Sequence, residues 1–269
     1  MNFFNFKNDI ISFSLAQIYR LKEPILLALA RRNAQPDCGK VSVIIATYNR
    51  SEILIKRTIP AILEQDYHNF EIVVVGDKCI DDTAECISHL SDPRIKFYDL
   101  EKRGNYPSDI KDRWFVQGSK PRNFGMSVAT GSWFVFISDD DILYPNHLST
   151  LITAARLKKV EFLSAAYKTV KDGVEIIVYP EKLNIRSELI CGGMQTWVFR
   201  SYLRLFKWNN QSWRKRYDRP IDYDLQQRMY EAGVKMDYIN EIVYYNPVVE
   251  GTNSTGYQAA LEADYNEKN

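Results

Sequence analysis

VSVIIATYNR, residues 41–50, begins as an unbroken apolar run rich in β-branched residues and ends in polar ones. Such a run predicts a strand buried on both faces, as in a parallel sheet. FEIVVVG (70–76), RIKFYDL (94–100) and SWFVFIS (132–138) predict three more strands. Helical patterns separate them at 51–65, after residue 82 and at 121–131. The alternation predicts an α/β fold with a mostly parallel sheet covered by helices on both faces.

Local signals refine the first two helices. Ser51 is expected as the N-cap of the helix at 51–65, and Pro60, which lies inside that helix, is expected to kink it. Asp82 with Glu85 has the spacing of a capping box and predicts the start of the second helix.

The pattern changes after residue 150. Segments 160–170 and 174–180 flank Lys171-Asp172-Gly173 and predict a hairpin. Residues 189–200 predict a further strand, and 221–233 a helix that ends in glycine. Residues 235–239 and 241–246 predict two late edge strands, and a polar tail follows them.

Charge and cysteine usage limit the class of protein. The net charge is +1 across 269 residues, so no broad basic surface indicates a nucleic-acid partner. The four cysteines form no CxxC pair and are interpreted as reduced thiols of a cytoplasmic protein. With three histidines in the chain, a histidine-built zinc site is not expected.

The N-terminal segment contains two apolar stretches, IISFSLAQIY (10–19) and PILLALA (24–30), split by charged residues. Neither reaches the roughly 20 apolar residues that a spanning helix needs. One interpretation is a peripheral membrane helix over residues 9–32, with Arg31 and Arg32 near lipid phosphates. The alternative is a helix packed on the domain or on a partner chain, and the sequence leaves both open.

Polar clusters follow three of the predicted strands. TYNR follows the first strand, Asp77 the second, and Asp139-Asp140-Asp141 the fourth. The carboxyl ends of parallel strands meet at one edge, where ligands of open α/β sheets bind. Adjacent carboxylates repel each other unless a cation lies between them, and Mg²⁺ and Mn²⁺ prefer oxygen ligands. We therefore expect a divalent metal with a diphosphate ligand, although a solvated acidic turn would have the same sequence.

Three blocks carry a resemblance to a known family: VSVIIATYNR, FEIVVVGDKCIDDT and PRNFGMSVATGSWFVFISDDDILYPNHL. In this order they resemble the family 2 glycosyltransferases of the GT-A fold, and IDYDLQQRMYEAGVKMDYI resembles a later block of that family. The resemblance implies inverting, Mn²⁺- or Mg²⁺-dependent sugar transfer. The implied donor is a nucleotide-diphosphate sugar, with UDP favoured, and the implied acceptor is a glycan or a lipid-linked molecule.

The resemblance also indicates which residues would bind the nucleotide. Thr47, Asn49 and Arg50 would line the base and ribose, and Asp77 would accept a hydrogen bond from a pyrimidine NH. Arg122 and Asn123, at the start of a predicted helix, would bind the phosphates.

The resemblance places Asp139 toward the ribose and Asp140 on the metal, with Asp141 as the alternative ligand because Ser138 holds the family's first acidic position. The implied catalytic base is Asp222. The family's preceding glutamate is replaced by Ile221, which bears on acceptor positioning. Without the resemblance, an acidic residue at Asp222 would be interpreted as favourable charge at a helix N-terminus.

Acceptor contacts are expected in the second half of the chain. Residues 204–220 interleave Trp208 and Trp213 with cationic residues, which indicates either a mobile acceptor loop or a solvated loop with half-buried rings. Trp197 follows Gly192-Gly193, which would allow either a close backbone approach to the acceptor or an ordinary bulge. Asp224 is the reserve base.

The expected organisation is an N-terminal helical extension (1–39), a GT-A domain (40–248) and a polar tail (249–269). The domain divides into a nucleotide-sugar half (40–145) and an acceptor half (146–248). The expected location is the cytoplasm, with the inner face of a membrane as the alternative. Two other functions share this pattern: a non-catalytic nucleotide- or glycan-binding module and a sugar nucleotidyltransferase.

Overall fold

The computed structural model describes residues 3–171, 173–184, 187–191, 193–215 and 221–248. The strands are β1 (Val41–Thr47), β2 (Phe70–Gly76), β3 (Ile95–Asp99), β4 (Trp133–Ser138), β5 (Ile142–Leu143), β6 (Phe162–Lys171), β7 (Val174–Val178), β8 (Glu181–Asn184), β9 (Ser187–Cys191), β10 (Val198–Arg200) and β11 (Met236–Asn246). The α-helices are α1 (Phe3–Arg32), α2 (Ser51–Ile53), α3 (Ile59–Leu63), α4 (Thr83–Ser88), α5 (Ile110–Val116), α6 (Ser119–Val128), α7 (His147–Lys158) and α8 (Ile221–Glu231).

The main sheet confirms the four predicted strands of the first half. Its order is β3-β2-β1-β4-β10-β6-β11-β5, with β7 paired to β6. Strands β3, β2, β1 and β4 are mutually parallel, and β10 is antiparallel to both of its neighbours. Thr47 pairs with Gly76, and Ala46 pairs with Ser138. The polar clusters after β1, β2 and β4 therefore begin at nearly the same level of one sheet edge.

The apolar runs arise because both faces of the sheet are buried. Val43, Ile45 and Val135 face one hydrophobic cluster. Ile44 and Phe136 face the other, and the two clusters lie on opposite sides of the sheet. A strand with two buried faces needs apolar side chains at every position, which is the pattern that predicted these strands.

One predicted helix cap is wrong, and the other is right in position but lacks its capping hydrogen bond. Arg50, not Ser51, occupies the cap of α2, and the Ser51 hydroxyl instead donates to Asp82 Oδ1. Asp82 caps α4 by position, but its side chain makes no capping hydrogen bond. Residues 54–58 form a π-helical turn between α2 and α3, and Pro60 is the second residue of α3, which begins just after that turn. The irregularity therefore lies one turn before the proline.

The late strands also differ from the prediction. Residues 236–246 form one bulged strand, β11, which pairs with β6 and β5 inside the sheet rather than at its edge. The run 189–200 is interrupted: β9 pairs with β8 in a separate two-stranded sheet, and a 3₁₀ turn at Met194–Thr196 precedes β10. The predicted hairpin is confirmed, with Lys171 opposite Val174. The predicted tail, 249–269, lies outside the described residues.

The N-terminal segment forms a single helix, α1, which continues through Pro24. It packs on α8 and on the 3₁₀ turns at Ser201–Leu205 and Ser212–Lys215. Among the helices that the structure describes, none combines the length and the hydropathy needed to cross a bilayer.

Candidate active site

A hydrogen-bonded network joins the polar residues after β1 and β4. The Thr47 hydroxyl donates a 2.7 Å hydrogen bond to Asp139 Oδ2. Arg50 Nη1 lies 3.3 Å from Asp139 Oδ1 and 2.6 Å from Asp140 Oδ2. The structure thus brings together four residues that the sequence placed at this edge. The guanidinium of Arg50 balances part of the negative charge of the acidic turn.

The main chain of the acidic turn is held by the helix that follows β1. The Thr58 hydroxyl donates a 2.8 Å hydrogen bond to the carbonyl of Asp139, and Arg57 Nη2 donates to the carbonyl of Asp140. Thr58 ends the π-helical turn, and such turns are frequent at functional sites. Sequence reasoning did not select Arg57 or Thr58, because an i→i+5 turn has no sequence signature of its own.

The three aspartates are not equivalent. Burial raises the pKa of Asp139, and the charge of Arg50 and the Thr47 hydrogen bond act against that rise. Asp141 is buried, and its Oδ2 accepts a 2.7 Å hydrogen bond from the backbone of Ser138. Burial and the charge of Asp140 raise the pKa of Asp141 well above its usual range. Asp140 keeps the most accessible carboxylate, with 29% of its side chain exposed.

Whether a divalent metal fits this site depends on how accessible each of the three aspartates is. Within the described part of the chain, no group of three His, Cys, Asp or Glu side chains forms a complete metal cage. Mg²⁺ needs no such cage, because it commonly takes one or two carboxylates together with substrate phosphates and water. Asp140 fits that smaller donor set because it is the most exposed of the three, although its Oδ2 pairs with Arg50. Asp141 instead bonds its own turn, and Asp139 is buried and bonds Thr47.

The candidate base, Asp222, is the second residue of α8. Burial raises its pKa to about 6, while the backbone NH of Tyr223 and the charge of Arg122 act to lower it. Arg122 in turn feels the carboxylates of Asp222, Asp139 and Asp141. The charge of Arg122 therefore interacts both with the start of α8 and with the acidic turn.

The carboxylate of Asp77 already has two partners. Its Oδ1 accepts a 2.9 Å hydrogen bond from the backbone of Gly104, and its Oδ2 accepts one of 2.6 Å from the Tyr106 hydroxyl. Asn49 has a left-handed backbone with φ of 54°, and its side chain accepts a hydrogen bond from the backbone of Ile80. Base recognition by Asp77 stays a prediction, in which the ring NH would use a remaining lone pair.

The side chain of Asn123 is engaged within the protein. Its Nδ2 donates to the carbonyl of Trp208 and its Oδ1 accepts from the NH of the same residue, each over 2.8 Å. The guanidinium of neighbouring Arg122 lies 5.1 Å from the centre of the Trp208 ring. Asn123 thus anchors the segment around Trp208, whereas Arg122 Nη1 donates a 2.9 Å hydrogen bond to the carbonyl of Gln117.

The structure corrects three of the acceptor predictions. Trp197 and Trp208 are buried, and their rings stack on each other with centres 6.2 Å apart. Asp224 is 1% exposed and pairs with Arg228, so it is not a reserve base. Trp213 is half-buried beneath the Arg214 guanidinium, at 4.1 Å from the ring centre, and its acceptor role stays a prediction. Residues 216–220 of the predicted loop lie outside the described residues.

Two further side chains reach this edge without having been predicted. Gln195 Nε2 donates a 3.0 Å hydrogen bond to the Ser138 hydroxyl. Tyr244 is buried, and its pKa is raised well above the usual value by burial and by the charges of Asp141 and Asp222, among others. Both come from the second half of the chain, where the sequence pattern is least regular. Both residues are far from the acidic turn in the sequence, so no local sequence pattern indicated that they reach it.

Comparisons with known proteins bear on this arrangement. The family model Glycosyl transferase family 2 matches residues 42–109. A GalNAc(5)-diNAcBac-PP-undecaprenol β-1,3-glucosyltransferase of Campylobacter jejuni is 35% identical over 118 residues, which are 43% of this chain and 34% of the relative. The Escherichia coli UDP-Glc:α-D-GlcNAc-diphosphoundecaprenol β-1,3-glucosyltransferase WfaP is 30% identical over 146 residues, 54% of this chain and 53% of the relative. The chain thus spans a third to a half of these relatives.

Solved structures match over more of the chain. S. aureus TarS (residues 1–349) in complex with UDP-GlcNAc has a TM-score of 0.59 at 20% identity, covering 81% of this chain and 60% of that one. The mannosyltransferase PcManGT from Pyrobaculum calidifontis, in complex with GDP-Man and Mn²⁺, has a TM-score of 0.54 at 17% identity, covering 94% and 71%.

The mixed sheet, with an acidic turn at the carboxyl end of its fourth strand, places the chain in the GT-A fold class of glycosyltransferases. Within that class, residues 42–109 match the family 2 glycosyltransferase model, and the curated glycosyltransferases named above are similar to 43–54% of this chain.

Proposed function

We propose that this chain transfers a sugar, with inversion, from a UDP-sugar to a lipid-linked glycan acceptor, and that a divalent metal assists the reaction. One observation carries the proposal. The carboxylates of Asp139 and Asp140 meet Thr47 and Arg50 at the edge of the sheet, and the charge of Arg122 interacts with Asp139 and with Asp222. An anion-binding centre and a carboxylate with a raised pKa thus belong to one site.

The choice of UDP rests on relatives and on Asp77. WfaP is by name a UDP-Glc transferase, and TarS holds UDP-GlcNAc in its complex. Asp77 is an acceptor-only group when ionised, which suits the ring NH of uracil. GDP is the competing nucleotide, since PcManGT is a complex with GDP-Man.

The chemistry assigns each side chain a task. The acceptor hydroxyl attacks the anomeric carbon from the face opposite the diphosphate, and the bond from that carbon to the diphosphate oxygen breaks with its electron pair. Asp222 takes the hydroxyl proton, and a pKa near 6 keeps it ionised at neutral pH while it remains basic. Arg122 stabilises the negative charge of the departing diphosphate.

The donor set supports metal assistance. Asp140 would hold the ion, and Arg50 would move from Asp140 toward the phosphates. A bound Mg²⁺ or Mn²⁺ would act as a Lewis acid that neutralises the leaving diphosphate.

The acceptor class comes from the relatives. Both glucosyltransferases named above act on diphosphate-linked undecaprenol carriers. A polyprenyl carrier is confined to a membrane, so we place the reaction at the cytoplasmic face of a bilayer, with residues 9–32 as the contacting segment.

Calorimetric titration of UDP, GDP, CDP and dTDP, with and without Mn²⁺, tests the donor site. We expect UDP to bind with a strong dependence on Mn²⁺. Asp140→Ala should abolish that dependence. The control Glu52→Gln changes an exposed carboxylate that pairs with Lys56, and it should bind as wild type. Folded protein that binds none of the four nucleotides would favour the non-catalytic module.

Product analysis tests the reaction. We expect UDP as the released nucleotide and an inverted anomeric configuration in the product by proton NMR. Release of pyrophosphate would instead identify a nucleotidyltransferase. Retention of configuration would contradict a direct displacement with Asp222 as base.

A further inference from the structure

Helix α1 has an inner face that is locked to the domain. Arg228 of α8 is 4% exposed, and its Nη1 lies 2.6 Å from Glu23 Oε1 while its Nε lies 3.1 Å from Asp224 Oδ2. The Arg228 guanidinium also lies 4.5 Å from the centre of the Tyr19 ring. Leu27, one helical turn after Glu23, is fully buried. A buried charge cannot leave its partners without a large cost, so α1 and α8 move as one body.

Two outer ion pairs fix the ends of the same contact. Arg20 Nε lies 3.1 Å from Glu231 Oε2 at the end of α8. Arg31 binds both oxygens of Glu161 and also donates to the carbonyl of Gly233. Because α8 begins next to Asp222, the orientation of α1 is tied to that of the candidate base.

The opposite face of α1 is apolar and exposed. Leu21, Ile25 and Leu29 are four residues apart, and Ile18 precedes Leu21 by three, so they form one line on the helix. With Leu26 beside them they form the outward stripe, whose side chains are 45–72% exposed. The stripe is roughly 17 Å long at 1.5 Å per residue. An exposed apolar line of this kind marks an interaction surface.

The charges around the outward stripe indicate which partner fits. Lys22 lies four residues after Ile18 and Arg32 three after Leu29, so both exposed cations border the stripe. Within residues 18–32 the one acidic residue is Glu23, which is buried against Arg228. A second copy of this face would meet it with like charges, whereas anionic lipid headgroups above a hydrocarbon layer complement both features.

We propose that the outward stripe of α1 docks on a bilayer surface that contains anionic lipids, and that the Arg228 network transmits this orientation to α8 and Asp222. The helix lies in the plane of the interface with its apolar side chains below the headgroups. The proposal rests on the proposed function in one respect: a lipid-linked acceptor gives this orientation its purpose. Docking itself does not depend on catalysis.

Vesicle co-sedimentation of the full chain tests docking. We expect wild type to pellet with phosphatidylcholine vesicles that contain phosphatidylglycerol, and to pellet less at high salt because screening weakens the attraction. The double variant Leu21→Glu/Ile25→Glu should lose at least about tenfold in partitioning, since two apolar side chains no longer enter the interface. Leu157→Glu is the matched control, because Leu157 is 77% exposed on α7, and it should pellet as wild type.

A second variant separates charge from apolar burial. Lys22→Ala/Arg32→Ala should reduce binding to vesicles with phosphatidylglycerol and leave weak binding to pure phosphatidylcholine unchanged. Circular dichroism of each variant checks that it is folded. Nucleotide titration reports on the proposed function separately, so vesicle binding without nucleotide binding would contradict the function and keep the docking.

Three outcomes would overturn the proposal. Wild type could fail to pellet with either vesicle. The Leu21→Glu/Ile25→Glu variant could pellet as well as wild type. Sedimentation velocity could show a wild-type dimer that this variant abolishes, which would make the outward stripe an interface between two copies.

Discussion

Thr47 and Asp139 join the carboxyl ends of two neighbouring parallel strands through a 2.7 Å hydrogen bond from the hydroxyl to Oδ2. The bond satisfies one oxygen of a buried carboxylate, and Arg50 satisfies the other. It also turns Asp139 toward β1, which leaves the adjacent Asp140 as the accessible carboxylate of the turn.

Replacing Thr47 by valine keeps the shape of the side chain and removes the hydroxyl. We expect Thr47→Val to lower the free energy of unfolding by about 1.5–3 kcal/mol, because a buried carboxylate loses a hydrogen bond. Urea denaturation measures the loss. Thr47→Ser keeps the hydroxyl and should lose less, so equal losses in the two variants would contradict a role for this bond.

Asp222 is expected to control the pH dependence of transfer. The base acts in its ionised form and its pKa is raised to about 6, so kcat/KM should fall as pH drops through about 6 and level off above it. Asp222→Asn should lower kcat by roughly 10²–10⁴-fold and remove this limb. A variant that keeps the wild-type profile would exclude Asp222 as the base.

Replacing Arg122 should shift the acidic limb of the pH profile of kcat/KM. Its positive charge lowers the pKa of Asp222, so Arg122→Gln should move the acidic limb of kcat/KM above pH 6. The same variant should bind UDP more weakly, because one partner of the diphosphate is lost. An unshifted limb would place Arg122 outside the electrostatic environment of the base.

The buried ion pairs that Arg228 forms with Glu23 and Asp224 should be critical for stability. Arg228→Ala leaves Glu23 and Asp224 buried without their shared partner, and we expect a loss of about 3–5 kcal/mol in urea or thermal unfolding. Arg20→Ala is the control: its pair with Glu231 is exposed and should contribute under about 1 kcal/mol. Similar losses in both variants would contradict the rigid coupling of the two helices.

Glu71 should make stability sensitive to acid. Burial acts to raise its pKa, but hydrogen bonds from Lys96, Ser42 and the Thr130 backbone hold that pKa well below the usual range. A carboxyl with a lowered pKa in the folded state stabilises the protein above its unfolded pKa of about 4.3, and this contribution is lost as pH falls.

Glu71→Gln tests this contribution. The variant should be less stable at pH 7 by about 2 kcal/mol and should lose less of its stability than wild type between pH 6 and pH 3. Parallel acid-induced losses in the two proteins would show that other carboxylates dominate the transition. Urea unfolding at a series of pH values provides the comparison.

The sequence predicted the first half of the molecule well because its signals are local. An unbroken apolar run such as VSVIIAT reports burial on both faces, and β1 matches the predicted range. Prediction was poorer where contacts with residues distant in sequence determine the local structure. The run 236–246 became a single strand because β6 pairs along most of its length, and Trp197 became core because Phe162 and Trp208 enclose it.

By itself, then, the sequence determined the α/β class, the edge of the sheet where polar clusters collect and the family to which the chain is similar. These follow from periodicity and from residue order, which need no knowledge of distant contacts. The tertiary structure alone decided that Asp140 is the accessible carboxylate, that Asp224 pairs with Arg228, and that α1 exposes an apolar stripe. Each of these depends on which groups meet across long sequence separations, because burial and charge pairing are properties of the packed chain.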